Sequence, residues 1–289
     1  MRVCEKNDDL ILENADHFDL FHTFGCGQCF RWDYKDGGFS GVAKGEYLRV
    51  FKDGANIVFK DTDTEAFNRV WRRYFDLDRD YGAIKAELSR DSVLKEAVGF
   101  GGGIRILNQD AFECLISFII SASNNIPRIK KIIGLLCLNF GERCEKKGHT
   151  YYKFPTADTL SSLELSDLSV IRAGFRDKYI LAAARAVKSG QLDLLSLENA
   201  SFDYAKSQLL RLPGVGEKVA SCILLFGLGK YEGFPVDVWV KRIMEYCYFD
   251  GEKTKEEISE FAKERFGSLG GFAQQYLFYW ARENKIGIM

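Results

Sequence analysis

The sequence predicts an α+β protein: a small N-terminal antiparallel sheet domain at residues 1–105, then a mostly α-helical domain at 106–289. Three observations carry that prediction. The first sixty residues hold short runs rich in aromatic and β-branched residues, separated by charged glycine turns. From Thr64 the apolar spacing lengthens to that of a helix. Beyond the glycine-rich stretch "GFGGGIRI" (99–106), helical patterns follow one another to the end.

Taken in order, "CFRWDY" (29–34), "FSGVA" (39–43), "EYLRVF" (46–51) and "NIVFK" (56–60) read as strands. "KDGG" and "KDGA" supply the turns between them. "TEAFNRVWRRYF" (64–75) reads as a helix opening on a capping-box-like Thr64. The loop at 99–106 marks the domain boundary. After it come helices in "DAFECLISFIISA" (110–122), "PRIKKIIGLLCLNF" (127–140), "DKYILAAARAVKSG" (177–190) and "FDYAKSQLLRL" (202–212). Further helices are expected from 217, from 238 and at about 271–283. Asn124 and Asn125 followed by Pro127 read as a helix start.

With 289 residues and 46% hydrophobic content, the chain can bury a sizeable core. Its net charge of −1 gives no overall field for a polyanion, so such a partner must be met by local patches. "RIKK" (128–131) and Lys241–Arg242 supply local positive charge, although such runs also serve as solvated faces. "MRVCEKNDDL" lacks the apolar core of a signal peptide, and no run reaches membrane-spanning length. A cytoplasmic protein, or a nuclear one in a eukaryote, is expected. Eight cysteines are scattered, several of them in apolar helical patterns, as reduced thiols would be. Cys26 and Cys29 have redox or zinc spacing, but no second pair accompanies them and they run into a strand pattern, so ordinary thiols are expected.

The chemistry is concentrated in "LPGVGEKVA" (212–220). A helix, a tight glycine hairpin and a second helix are predicted over about 202–227. Gly214 and Gly216 would let backbone N–H groups approach a phosphate, aided by the second helix's dipole. The same hairpin would serve as a plain turn in a bundle. Lys218 sharpens the reading. A cation in a helix's first turn is electrostatically misplaced, and that favours the neutral amine a Schiff-base nucleophile needs. A solvent-facing lysine beside Glu217 is the alternative. Nineteen residues on, Asp237 follows Pro235 in "GFPVDVWVKR" and is a natural N-cap. A capping carboxylate facing a cleft can also stabilise positive charge on a sugar.

"LPGVGEKVASC" followed by "FPVD" resembles the helix-hairpin-helix DNA glycosylases, and within them the 8-oxoguanine DNA glycosylase/lyase family. "GQCFRW" (27–32), "ILNQDAFECLISFIISASNNIPRI" (106–129), "GFRDKY" (174–179) and "GGFAQQYLF" (270–278) resemble that family's segments in the same order. The resemblance implies that Lys218 attacks the sugar C1′ and that Asp237 supports the departing base and the attacking amine. It implies that the Gly27 carbonyl accepts the N7–H that 8-oxoguanine has and guanine lacks. Pro235, Cys222, Phe278 and Gln274 are then base-pocket residues, with Cys222 and Phe278 on the two faces and Gln274 at the pairing edge. Ser123, Asn124, Asn125, Arg128, Phe175 and Arg176 are expected to handle DNA. Phe175 corresponds to a wedge, and Arg128 and Arg176 to readers of the cytosine left behind. The carbonyls of Leu210, Leu212 and Val215 are candidates to hold an ion. The implied partner is double-stranded DNA with 8-oxoguanine opposite cytosine, acted on by a monomer without cofactor.

Two departures stand out. Ser123 occupies a position where the family commonly shows asparagine, and Trp239 one where a phosphate-touching histidine is common. Three other readings compete. Alkylpurine and adenine-mismatch glycosylases on the same fold lack the hairpin lysine. The mismatch enzymes commonly carry a four-cysteine iron–sulfur loop, whereas only Cys247 follows the hairpin helix here, so no cluster is expected. A non-enzymatic DNA-binding module would need neither the Lys218–Asp237 pair nor a base pocket.

Overall fold

The computed structural model describes residues 2–287. Its N-terminal part is a six-stranded antiparallel sheet of β1 (Arg2–Lys6), β2 (Asp9–Glu13), β3 (Trp32–Lys35), β4 (Gly38–Ala43), β5 (Glu46–Asp53) and β6 (Asn56–Phe59), in the order β1-β2-β6-β5-β4-β3. Alternation builds its core, because the period of two turns Leu10, Leu12, Leu48, Val50, Ile57 and Phe59 to one face. Leu10 and Val50 both pair with Phe59, which locks that register. The helical segment Thr64–Tyr74, with a π-turn at Phe67–Trp71, lays Phe67, Trp71 and Tyr74 on that face. The cap of that segment is Asp63, whose carboxylate accepts the Ala66 N–H; Thr64 is already inside the helix.

The sequence reading omits β1 and β2. Their connection turns through Asn7 and Asp8, both at positive φ (52° and 65°), without a glycine to announce it. It also omits the helix Leu20–Gly25 and the hairpin Arg143–Lys146/His149–Tyr152. The expected loop at 99–106 starts late, since the helix Ser92–Gly101 runs into it. That helix and Tyr81–Leu88 add Tyr81, Leu88, Leu94, Ala97 and Val98 to the helical core, although both precede residue 106.

The other expected helices form. Ala111–Ser121 is capped by Asp110, Ile126–Phe140 by Asn125, Phe202–Leu210 by Ser201 and Val238–Tyr248 by Asp237. Glu217–Gly227 is buried along nearly its whole length and packs on Ala111–Ser121, while the terminal helix Gly270–Asn284 packs on Ser92–Gly101 and Val238–Tyr248. Lys255–Phe266 is an added helix, with only Ile258, Ala262 and Phe266 buried, one every four residues.

A polar seam joins the two parts. Gln28 is fully buried; its Nε2 donates to the carbonyls of Thr23 and Arg105 at 2.8 Å, and its Oε1 accepts Leu107 N–H at 2.9 Å. Arg31 crosses to Glu113 at 3.3 Å, and burial pushes the Glu113 carboxyl up against that pull. These bonds fix the loop carrying Gly27 against the helical body.

Candidate active site

Between the loop that precedes β3 and the helices lies a cavity of about 330 Å³. It is lined by Gly27 and Phe30 from the N-terminal loop, by Phe118, Asn124 and Asn125, by Lys218, Cys222 and Phe226, by Pro235, Asp237 and Trp239, and by Gln274, Phe278 and Arg282. That size lies at the small end of ligand cavities, which run about 300–1,000 Å³, and suits one planar heterocycle. Lys218, Asp237, Gly27, Cys222, Pro235, Gln274 and Phe278 are therefore brought together from four separate stretches of chain.

Each member is held by its element. Lys218 sits in the first turn of Glu217–Gly227 with its ammonium 5.3 Å from the centre of the Phe118 ring, which stacks on Phe226. Glu217 faces away, paired with Lys206 at 2.7 Å, so the carboxylate beside Lys218 in sequence does not neutralise it. Cys222, one turn on, is 3% exposed. Burial pushes its thiol pKa up; the Lys218 ammonium opposes that and the Asp237 carboxylate reinforces it, so all three groups share one field. Asp237 does cap its helix, accepting the Val240 N–H at 2.8 Å, yet remains half-buried at the cavity wall.

Gly27 has φ of +79°, which favours glycine, and a Cβ there would stand 3.1 Å from the Phe278 ring, a tight contact. Gln274 is 4% exposed, and its Oε1 accepts from the Gln275 amide at 2.8 Å, which fixes how its head group is presented. Phe30, Phe118, Phe226, Gln275 and Arg282 were not anticipated. The helical phase offered a signal for one of them, since Gln274, Phe278 and Arg282 recur every four residues.

Of the remaining expected residues, Asn124 and Asn125 also line the cavity, and the others lie outside its lining. Gly214 and Gly216 border a second groove that Lys218 also lines, so the lysine stands between groove and cavity. Gly214 is required by the protein itself: at φ +83° a Cβ would fall 2.5 Å from the Tyr179 ring. Gly216 is exposed, caps Glu217–Gly227 without a side-chain bond, and has open space where a Cβ would sit. Its end of the helix presents free N–H groups to the groove. The Leu212 carbonyl already accepts the Val215 N–H at 3.1 Å, which occupies part of the candidate ion-binding set.

Ser123 lies exposed at φ +49°, a conformation asparagine adopts more readily. Arg128 is exposed in the first turn of its helix. Phe175 is 58% exposed, with the Arg176 guanidinium 4.3 Å from its ring centre. Arg176 itself is 2% exposed, and its guanidinium donates to the carbonyls of Ala122, Ser123 and Ala173. Burial, together with the Arg128 charge, presses its pKa down. Arg128, not Arg176, is thus the member of the pair that faces solvent. Trp239 lines the cavity with the Arg242 guanidinium 5.8 Å from its ring.

Cys26 and Cys29 separate, one into the helical core and the other into the sheet core, and both are unpaired thiols. Burial raises both pKa values, that of Cys26 to about 12. Among the described residues no helix is long and apolar enough to cross a membrane.

A family model for the 8-oxoguanine DNA glycosylase N-terminal domain matches residues 10–115, and one for HhH-GPD superfamily base excision DNA repair proteins matches 116–268. The 8-oxoguanine glycosylase/lyase of Clostridium acetobutylicum, in complex with double-stranded DNA containing cytosine opposite 8-oxoG, is 46% identical, with a TM-score of 0.96 over 99% of each chain. MBOgg1 in complex with a low affinity DNA ligand is also 46% identical, with a TM-score of 0.95 over 98% of this chain and 99% of that one. The probable N-glycosylase/DNA lyase of Methanothermobacter thermautotrophicus is 32% identical over 214 residues, 67% of this chain and 68% of the relative. With two family models meeting end to end across the sheet and helical parts, the chain belongs to the HhH-GPD superfamily of base excision DNA repair proteins and carries the 8-oxoguanine DNA glycosylase N-terminal domain.

Proposed function

We propose that the chain excises 8-oxoguanine from duplex DNA, preferentially opposite cytosine, and then nicks the strand as an abasic-site lyase. One observation carries the reading: Lys218, Asp237 and the Gly27, Cys222, Gln274 and Phe278 walls meet in a cavity the size of a single base. A purine reaches such a cavity only by leaving the helix stack. Cys222 and Phe278 then cover its faces, Gln274 meets its pairing edge, and the Gly27 carbonyl accepts N7–H. Guanine offers a lone pair at N7 instead, so it would leave that carbonyl unpaired and repelled.

Lys218 attacks C1′ as the glycosidic bond breaks. Asp237 faces the positive charge that develops on the sugar, and its partial burial strengthens that effect. The resulting imine activates the neighbouring C–H bond for β-elimination. Gly216 and the helix start beside it suit a backbone phosphate, with Lys218 lying between phosphate groove and base cavity. Phe175 fills the gap in the stack and Arg128 donates to the orphaned cytosine, roles that the exposure of both side chains supports. The likeness to the Clostridium enzyme in complex with cytosine opposite 8-oxoG supports this partner.

The test is incubation with a duplex holding one 8-oxoguanine in the presence of borohydride. A trapped protein–DNA adduct and a nicked strand are expected. An intact duplex with no adduct would leave only a DNA-binding module.

A further inference from the structure

Arg282 lies four residues beyond Phe278 on the terminal helix, which returns its side chain to the same face. Two of its three guanidinium nitrogens are committed. Nη2 donates to the Gly25 carbonyl, and Nε and Nη2 meet Glu283 Oε1 at 3.0 and 2.8 Å. Among the described residues Nη1 is buried with no partner. A Cβ on Gly27 would stand 3.4 Å from Nη1, so this orphan donor adjoins the glycine that reads N7–H. The guanidinium is also 5.2 Å from the Phe278 ring centre, and its charge opposes the upward shift that burial imposes on Cys26. A buried charged donor without an acceptor is rare and calls for a ligand to complete it.

Resting on the proposed function, we infer that Arg282 Nη1 donates to the carbonyl edge of the extruded base and holds the negative charge the base acquires on leaving. In 8-oxoguanine the N7–H is flanked by two carbonyl oxygens, O6 and O8. A donor beside the N7 acceptor therefore faces one of them. When the C1′–N9 bond breaks, its electron pair passes into the base and is shared by those oxygens. Lys218 Nζ forms the new bond to C1′, and the proton it sheds neutralises the departing base. The guanidinium interacts more strongly with the leaving anion than with the neutral bound base, so it lowers the barrier as well as aiding binding. Arg282 is then a catalytic residue for excision, with no base to act on at an abasic site.

The experiment compares two reactions of the same protein: single-turnover excision of 8-oxoguanine, and borohydride trapping at a preformed abasic site. In Arg282→Leu, excision is expected to fall about 10- to 100-fold, the range for losing a hydrogen bond to a charged group, while trapping falls much less. Arg282→Lys keeps a cation on a similar stem, guards against misfolding, and is expected to show the same split with a smaller drop. Equal losses in the two reactions mean that Arg282 only supports the Gly25 loop, and no loss means that it has no role; either result overturns the inference. A wild type that excises nothing sinks the enzymatic reading itself, and this inference with it.

Discussion

The proposed function gives Asp237 two tasks that a single substitution can separate. Its Oδ1 accepts the Val240 N–H at 2.8 Å and so starts the helix Val238–Tyr248, while the same carboxylate lines the base cavity beside Lys218. In Asp237→Asn the amide oxygen can keep the cap, because asparagine and aspartate cap almost equally well. What the fold loses is the charge at the helix start, worth about 0.3–1 kcal/mol. The melting temperature should therefore fall by no more than about 4 °C. The sugar loses its counter-charge in the transition state, and removing one such group from a closed site costs about a hundred- to a thousandfold in rate, or roughly 2.7–4 kcal/mol. The second effect exceeds the first several times over, so slow excision cannot be a symptom of unfolding. Asp237→Ala, which also removes the cap, should lose about 1 kcal/mol more stability with little further loss of rate. The assay is single-turnover excision at saturating enzyme on an 8-oxoguanine duplex, with thermal melts alongside. If wild type and Asp237→Asn excise at equal rates, Asp237 is only a cap and the charge argument fails.

Lys218→Gln should bind the damaged duplex but release no base and trap no adduct; full trapping would exclude Lys218 as the nucleophile. Phe278→Ala removes one face of the base sandwich, and because stacking is worth about 1–3 kcal/mol, affinity for damaged DNA should fall about ten- to a hundredfold. Binding to undamaged duplex, governed by phosphate contacts, should barely change, and equal weakening on both would refute the pocket assignment. The wild type should excise faster opposite cytosine than opposite adenine, a margin that narrows in Arg128→Ala; equal rates in the wild type would show that Arg128 does not read the opposite base. Arg176→Ala should instead lower the melting temperature, since the carbonyls of Ala122, Ser123 and Ala173 lose their donor at about 1–3 kcal/mol for each group left buried and unpaired. An unchanged melt would show that those bonds contribute nothing.

Local chemistry was legible from the residues alone. Glycines flanking Val215, a lysine in the next turn and an aspartate before an apolar helix predict a hairpin, a misplaced cation and a cap, because each rests on backbone geometry within a few residues. The sheet-to-helix change at Thr64 was readable for the same reason, as periodicity is a local property. Elements whose signals are weak alone escaped: β1 is a charged edge strand, and Lys255–Phe266 buries only three side chains. Their folding depends on partners distant in sequence.

The site depended on the tertiary structure in a second way. Nothing in the sequence places Phe30 and Gly27 opposite Phe118, Phe226 and Arg282; the Gln28 seam and the packing of the terminal helix do so. Nor could sequence separate Arg128 from Arg176, two arginines matched to one task, because burial decides their difference. One faces solvent while the other has its donors committed to the protein's own carbonyls. Spacing along the chain fixes which groups share a helix face, but only packing fixes which groups share a cavity, and Arg282 Nη1 is an orphaned donor among the described residues only because of where the fold puts its neighbours.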